Sequence, residues 1–286
     1  MARKNIFEIL NQKYDVQKEF NAINKLFYTP NIAIYLQQGQ NQLIPVEQAI
    51  DNTCFYSWKQ RHGCINLADM KEKLEFENRQ SSDKDDMIIC LEYMSNIIYL
   101  ANSKLYYNSF HIPSSYQKTQ QFIILEDNIE LLLNHINYEK QIFEEQEKVI
   151  LIPSNPAATA VAEISSKETA MAILRYHHAS LKGQLAEKKD ILRRIAQEHE
   201  PTLDNPAEGY TDYFRTAKSM LNNLDIRHNN KTGKKKNDLV TNLTNEELEK
   251  WYDELYQLLL FCVLAKDNKE RKDKIAEFLK GLKEKK

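Results

Sequence analysis

Thr244-Asn245-Glu246-Glu247-Leu248-Glu249-Lys250-Trp251-Tyr252-Asp253-Glu254-Leu255-Tyr256-Gln257-Leu258-Leu259-Leu260-Phe261-Cys262-Val263-Leu264-Ala265 is the stretch that sets the fold class. Thr244 and Glu247 have the spacing of a capping box, in which a hydroxyl and a carboxylate satisfy the free amides of a helix start. Leu248, Trp251, Tyr252, Leu255, Leu258, Leu259, Cys262 and Ala265 then recur at helical spacing on one broad face. A face that wide predicts a helix central to a core.

The rest of the chain reads the same way. Met87, Leu91, Met94, Ile98, Ala101 and Leu105 recur at helical spacing behind a second capping-box pattern, Ser82 to Asp85. The polar link His111 to Ser115 ends that helix. Phe122, Leu125, Ile129, Leu132, Leu133, Ile136 and Phe143 predict another that runs on to an acidic far end (Glu144, Glu145, Glu147), and the two are expected to form an antiparallel hairpin. Helical patterns follow over Lys167 to Leu181, Gln184 to His199 and around Tyr213 to Leu221. A separate basic helix is expected around Ile275, Phe278, Leu279 and Leu282.

Residues 1 to about 80 read as short helices, with signals at Phe7, Leu10, Tyr14, Phe20, Ile23 and Phe27, and irregular links. Ile32 to Leu36 suits either a strand or a helical turn, and Val149 to Pro153 is the best strand candidate. The expected fold is all-α, a multi-helix bundle of long amphipathic helices with at most one or two short strands. It divides into an N-terminal mainly helical region over 1–82 and a helical bundle over 83–286.

Composition narrows the function classes. The chain has 286 residues, 42% apolar and 28% charged, the balance of a folded globular protein. Six glycines and seven prolines are too few for the many tight turns of a sandwich or barrel. No run of eighteen apolar residues exists, so no membrane span is expected. A net charge of −2 leaves any attraction to nucleic acid to local patches. Cys54, Cys64, Cys90 and Cys262 contain no CxxC pair, and Cys90 and Cys262 fall on apolar helical faces as buried thiols. A reducing cytoplasm fits them.

Apolar periodicity does not account for Asn222-Asn223-Leu224-Asp225-Ile226-Arg227-His228-Asn229-Asn230, which runs into Lys231-Thr232-Gly233-Lys234-Lys235-Lys236. Its Arg-His pair resembles the HEPN superfamily, helical domains of prokaryotic toxins, abortive-infection proteins and RNA-cleaving effectors. The family motif is an arginine, usually followed by a polar residue, and then a histidine after four to six intervening residues. Arg227 corresponds to the arginine and His228 to the polar residue after it. The family's histidine position falls here on Thr232, Gly233 or Lys234, and His228 is the last histidine of the chain. The resemblance covers the C-terminal half.

The resemblance implies an RNA-directed protein of prokaryotic defence. Its chemistry would be metal-independent endoribonuclease cleavage, with no cofactor and no metal. His228 would take the ribose 2′-hydroxyl proton, since imidazole titrates near neutrality. Arg227 would hold the charged phosphate bidentately. Neighbouring residues diverge on a helix or strand, so the pair reaches one phosphate from an irregular loop or across a homodimer. Asn223, Asn229, Asn230, Lys231, Lys234, Lys235 and Lys236 are the accompanying RNA-binding candidates.

The bland reading of the same residues is that Asn223, Arg227 and His228 cap helix ends and pair with acids. A second function stands beside the first: a non-catalytic helical interaction protein, a subunit, adaptor or inhibitor in a defence or phage-related system, recognising a protein partner. Arg194 and His199 have the bare family spacing but sit at a helix C-terminus, where both charges suit the dipole. Arg175-Tyr176-His177-His178 and His62 beside Cys64 lack the further ligands that a zinc site needs.

Overall fold

The computed structural model describes residues 14–35, 41–76, 83–105, 116–227 and 238–284. Contacts divide the chain into two compact units, Met1–Pro153 and Ser154–Lys286. The expected boundary near 82 falls at a segment outside the described residues. So do the helix signals at Phe7 and Leu10, the link from His111 to Ser115, and Ser82.

In the first unit, helix α1 (Val16–Tyr28) starts where Asp15 accepts the Lys18 amide, and it buries Phe20, Ile23 and Phe27 along one stripe. Strand β1 (Ile32–Tyr35) pairs antiparallel with β2 (Asn41–Ile44) and, on its other edge, with β3 (Tyr116–Lys118). Helices α2 (Val46–Thr53) and α3 (Leu67–Lys73) lead to α4 (Lys84–Leu100). The cap of α4 is Asp83, which accepts from the Asp85 and Asp86 amides. One π-helical turn, Ala101–Leu105, continues α4.

Helix α5 (Gln120–His135) is capped by Thr119 and buries Phe122, Leu125, Ile129, Leu132 and Leu133. It stops well short of the expected length. Asn137 adopts φ 57°, a left-handed turn that asparagine tolerates, and the chain enters a hairpin of β4 (Tyr138–Phe143) and β5 (Lys148–Pro153). Ile136 and Phe143 continue the apolar pattern of the helix by coincidence of spacing. The fold is therefore mostly helical but has, among the described residues, five strands in two small sheets, against the one or two expected.

In the second unit, α6 (Pro156–Glu163) begins with Asn155 as cap and Pro156 at its first position. It is followed by α7 (Lys167–Arg175), α8 (Leu185–Glu198), α9 (Glu200–Asp204), α10 (Thr211–Asn223), α11 (Asp238–Asn242) and α12 (Asn245–Glu284). The capping box expected at α12 is present: the Thr244 amide and hydroxyl both donate to Glu247 Oε2, and the Glu247 amide donates to Thr244 Oγ1 at 3.2 Å. Leu248, Tyr252, Leu255, Tyr256, Leu259, Leu260, Cys262 and Val263 are buried among side chains of α6, α8 and α10, which makes α12 the centre of this core.

Trp251, assigned to that face by spacing, is instead 49% exposed. The basic C-terminal helix is not separate: α12 runs unbroken for 40 residues, because no proline or glycine interrupts it before Gly281. None of the four cysteines forms a disulfide, and Cys262 is buried as expected while Cys90 is only half-buried. Among the described residues, no helix is long and apolar enough to cross a membrane.

Candidate functional site at the end of helix α10

Helix α10 ends because the chain turns left-handed. Leu224 closes its last hydrogen bond to Met220, and Asp225 takes φ 63°, a conformation that Asp reaches at less cost than most residues. The Arg227 amide then returns to the Leu221 carbonyl at 3.0 Å. Helix α8 secures this turn. Lys189 Nζ pairs with Asp225 Oδ2 at 2.8 Å, and Arg193 donates from Nε and a terminal nitrogen to the Ile226 carbonyl at 3.2 and 3.1 Å. A carbonyl of the exit turn, three residues past the helix, thus acquires a cationic donor.

Arg227 is the last described residue of the segment. Its guanidinium donates to Glu200 Oε2 at 2.6 Å from the first turn of α9, and its side chain is half-buried at 22% exposure. Arginine has five N–H donors, and among the described residues the one carboxylate that its guanidinium meets is Glu200. An ion pair this exposed stabilises a fold by about 0.2–1 kcal/mol. Glu200 therefore orients Arg227 more than it locks it. Lys189, Arg193 and Arg227 face Asp190, Asp225 and Glu200, so charges are balanced at the root of the segment.

Of the other candidates, Asn223 donates its amide to the Ser219 carbonyl at 2.8 Å and to the Ser219 hydroxyl at 3.3 Å. His228, Asn229, Asn230, Lys231, Lys234, Lys235 and Lys236 lie outside the described residues. Arg194 and His199 are not brought together: five helical residues turn the chain by about 500°, which leaves the two some 140° apart. Arg194 lines a groove with Arg175, Glu187 and Asp190. His199 is buried, with Nε2 at 3.0 Å from Ser165 Oγ. Burial holds that imidazole below its ordinary pKa, against the opposing pull of Glu198. Ser165 already donates to the Val161 carbonyl at 2.7 Å, so His199 must be the donor, and the pair is no nucleophile and base.

The sequence reading passed over Glu200, Lys189, Arg193 and Asp225. Only Asp225 carried a local sign, as a turn-tolerant residue just past a helical pattern. It passed over the most buried cation as well. Lys188 is 4% exposed and pairs with Glu249 at 2.9 Å and Asp253 at 2.8 Å, with its ammonium over the Tyr176 ring. Breaking a buried pair costs about 3–5 kcal/mol, so this triad joins α8 to α12 rather than awaiting a ligand. His177 lies beside it, its pKa lowered by burial against the pull of Asp253. Among the described residues, no group of three His, Cys, Asp or Glu side chains is placed to hold a metal ion. No protein-family model, no curated protein and no solved structure matches the chain.

Proposed function

We propose that the protein is an RNA-directed, HEPN-like protein of prokaryotic defence, that it acts through the segment following α10, and that Arg227 is its phosphate-contacting residue. The observation that carries this reading is the state of Arg227: partly exposed, oriented by one carboxylate among the described residues, and four residues ahead of the first lysine of a cluster. A phosphate brings two acceptor oxygens to a fork whose present partner is worth little, so the exchange favours the phosphate. Lys231, Lys234, Lys235 and Lys236 supply the local basic charge that the balanced root lacks. His228 is the proton acceptor in the catalytic form of this proposal, a metal-independent attack of a ribose 2′-hydroxyl on the adjacent phosphate.

Labelled total RNA and tRNA, with EDTA present, test it on wild type, Arg227→Ala, Arg227→Lys, His228→Ala and the fourfold lysine-to-alanine variant. The expected result is salt-dependent binding whose log–log slope falls by roughly 0.7 for each lysine contact removed. Arg227→Ala weakens binding more than Arg227→Lys, with the helical circular dichroism unchanged. Cleavage lost in Arg227→Ala or His228→Ala makes the site catalytic, whereas binding without cleavage makes it a binding module. Equal RNA binding by all the variants overturns the proposal.

A protein partner is the second reading, and α12 favours it. Its buried face ends at Val263, yet Ile275, Phe278 and Leu279 continue an apolar stripe at 59%, 66% and 51% exposure. Self-association abolished by Phe278→Asp in sedimentation, with RNA binding absent, would move the assignment to an interaction protein.

A further inference from the structure

The first unit contains a cleft of about 250 Å³ that is independent of the Arg227 segment. Trp58, Met70, Leu74, Ile89 and Tyr93 form its apolar wall, and Cys64 also lines it, placed by a tight turn in which His62 and Gly63 both have positive φ. A mostly apolar concavity with a few polar groups is the usual form of a small-molecule site. What it can take depends on which polar groups remain uncommitted.

Most are already used. Trp58 Nε1 donates to the Glu147 carbonyl at 2.9 Å, and the Tyr93 hydroxyl donates to Glu47 Oε1 at 2.6 Å. Asn96 holds both the amide and the carbonyl of Val149, Gln60 donates to the Gln146 carbonyl, and Glu92 Oε2 accepts the Leu151 amide. The polar atoms of Trp58, Tyr93, Asn96 and Gln60 are thus engaged by the protein, while Glu92 keeps its negative charge at the cleft. Lys73 is shared between Asp69 at 3.3 Å and the Cys64 sulfur at 3.6 Å. Lys148, also on the lining, has no carboxylate partner for its ammonium among the described residues. With Lys73 answered by Asp69, Lys148 is the lining cation that no carboxylate among the described residues answers, and Glu92 is the lining carboxylate.

We propose that this cleft binds a small amphipathic anion, one acidic group on an apolar body, with the acid at Lys148 and the body against Trp58, Met70 and Ile89. A neutral ligand would leave the lysine charge unanswered, and a dianion would meet Glu92.

Anilinonaphthalenesulfonate and its uncharged counterpart N-phenylnaphthylamine, titrated by fluorescence into the full-length protein, test this. The expected result is saturable one-to-one binding of the sulfonate. Loss of the negative charge, or Lys148→Glu, weakens it about tenfold, the size of one charge-assisted hydrogen bond at a half-buried position. Lys148→Arg restores it. Equal affinity for the two probes, or indifference to Lys148→Glu, would each overturn the proposal.

Discussion

Ser165 donates its hydroxyl proton to Val161, so the His199 ring can meet it only as a donor from Nε2. Burial then keeps the ring neutral by lowering its pKa below 6.5. The unfolded chain has no such constraint and takes up a proton as pH falls through about 6.5, whereas the folded chain resists until its lower pKa is reached. Stability is therefore greatest above that range and declines on acidification, and His177 acts in the same direction. Urea midpoints taken at about pH 7.5 and about pH 5.5 should show this decline, and it should narrow in His199→Gln. An unchanged difference in the variant would show that the acid sensitivity arises elsewhere. The spacing of Arg194 and His199 carried none of this, because the partner that fixes the ring lies 34 residues away at Ser165.

Strand β5 shows the same dependence at the level of an element. Its run of β-branched and aliphatic residues marks it as a strand in the sequence, and Val149 to Ile152 are all buried. Sequence does not say how a two-stranded hairpin satisfies its outer edge. Helix α4 does so: Asn96 donates to the Val149 carbonyl at 2.7 Å and accepts its amide at 2.9 Å, while Glu92 accepts the Leu151 amide at 2.7 Å. Asn96→Ala leaves both Val149 groups buried without partners. It should lower stability by about 2–4 kcal/mol in urea denaturation, where a surface substitution costs under 0.5. The capping box of α12 was legible because its members lie three residues apart. The end of α5 was not, since the period of Ile136 and Phe143 continues a helix that Asn137 breaks by its backbone angle.

For the whole molecule, the chain divides after residue 153 into two compact units. The second contains a closed set of buried side chains from α6, α8, α10 and α12. A fragment of residues 154–286 should retain the helical signal and melt cooperatively by circular dichroism. A broad, non-cooperative melt would mean that this core requires the first unit. The proposed RNA segment belongs to the second unit and the proposed anion cleft to the first, so each can be tested without disturbing the other.

The sequence alone determined the mostly helical class, the centrality of the Thr244 to Ala265 helix, the strand at Val149 and the Arg227 segment as a place to look. These are local properties: helical period, capping chemistry and residue choice act over a few positions, within reach of a linear reading. Tertiary structure decided which groups are already committed. Glu200 on Arg227, Lys189 and Arg193 on the exit turn and Ser165 on His199 all depend on side chains distant in sequence meeting at about 3 Å. A polar residue's availability for function is what remains after those meetings, and no spacing along the chain contains it.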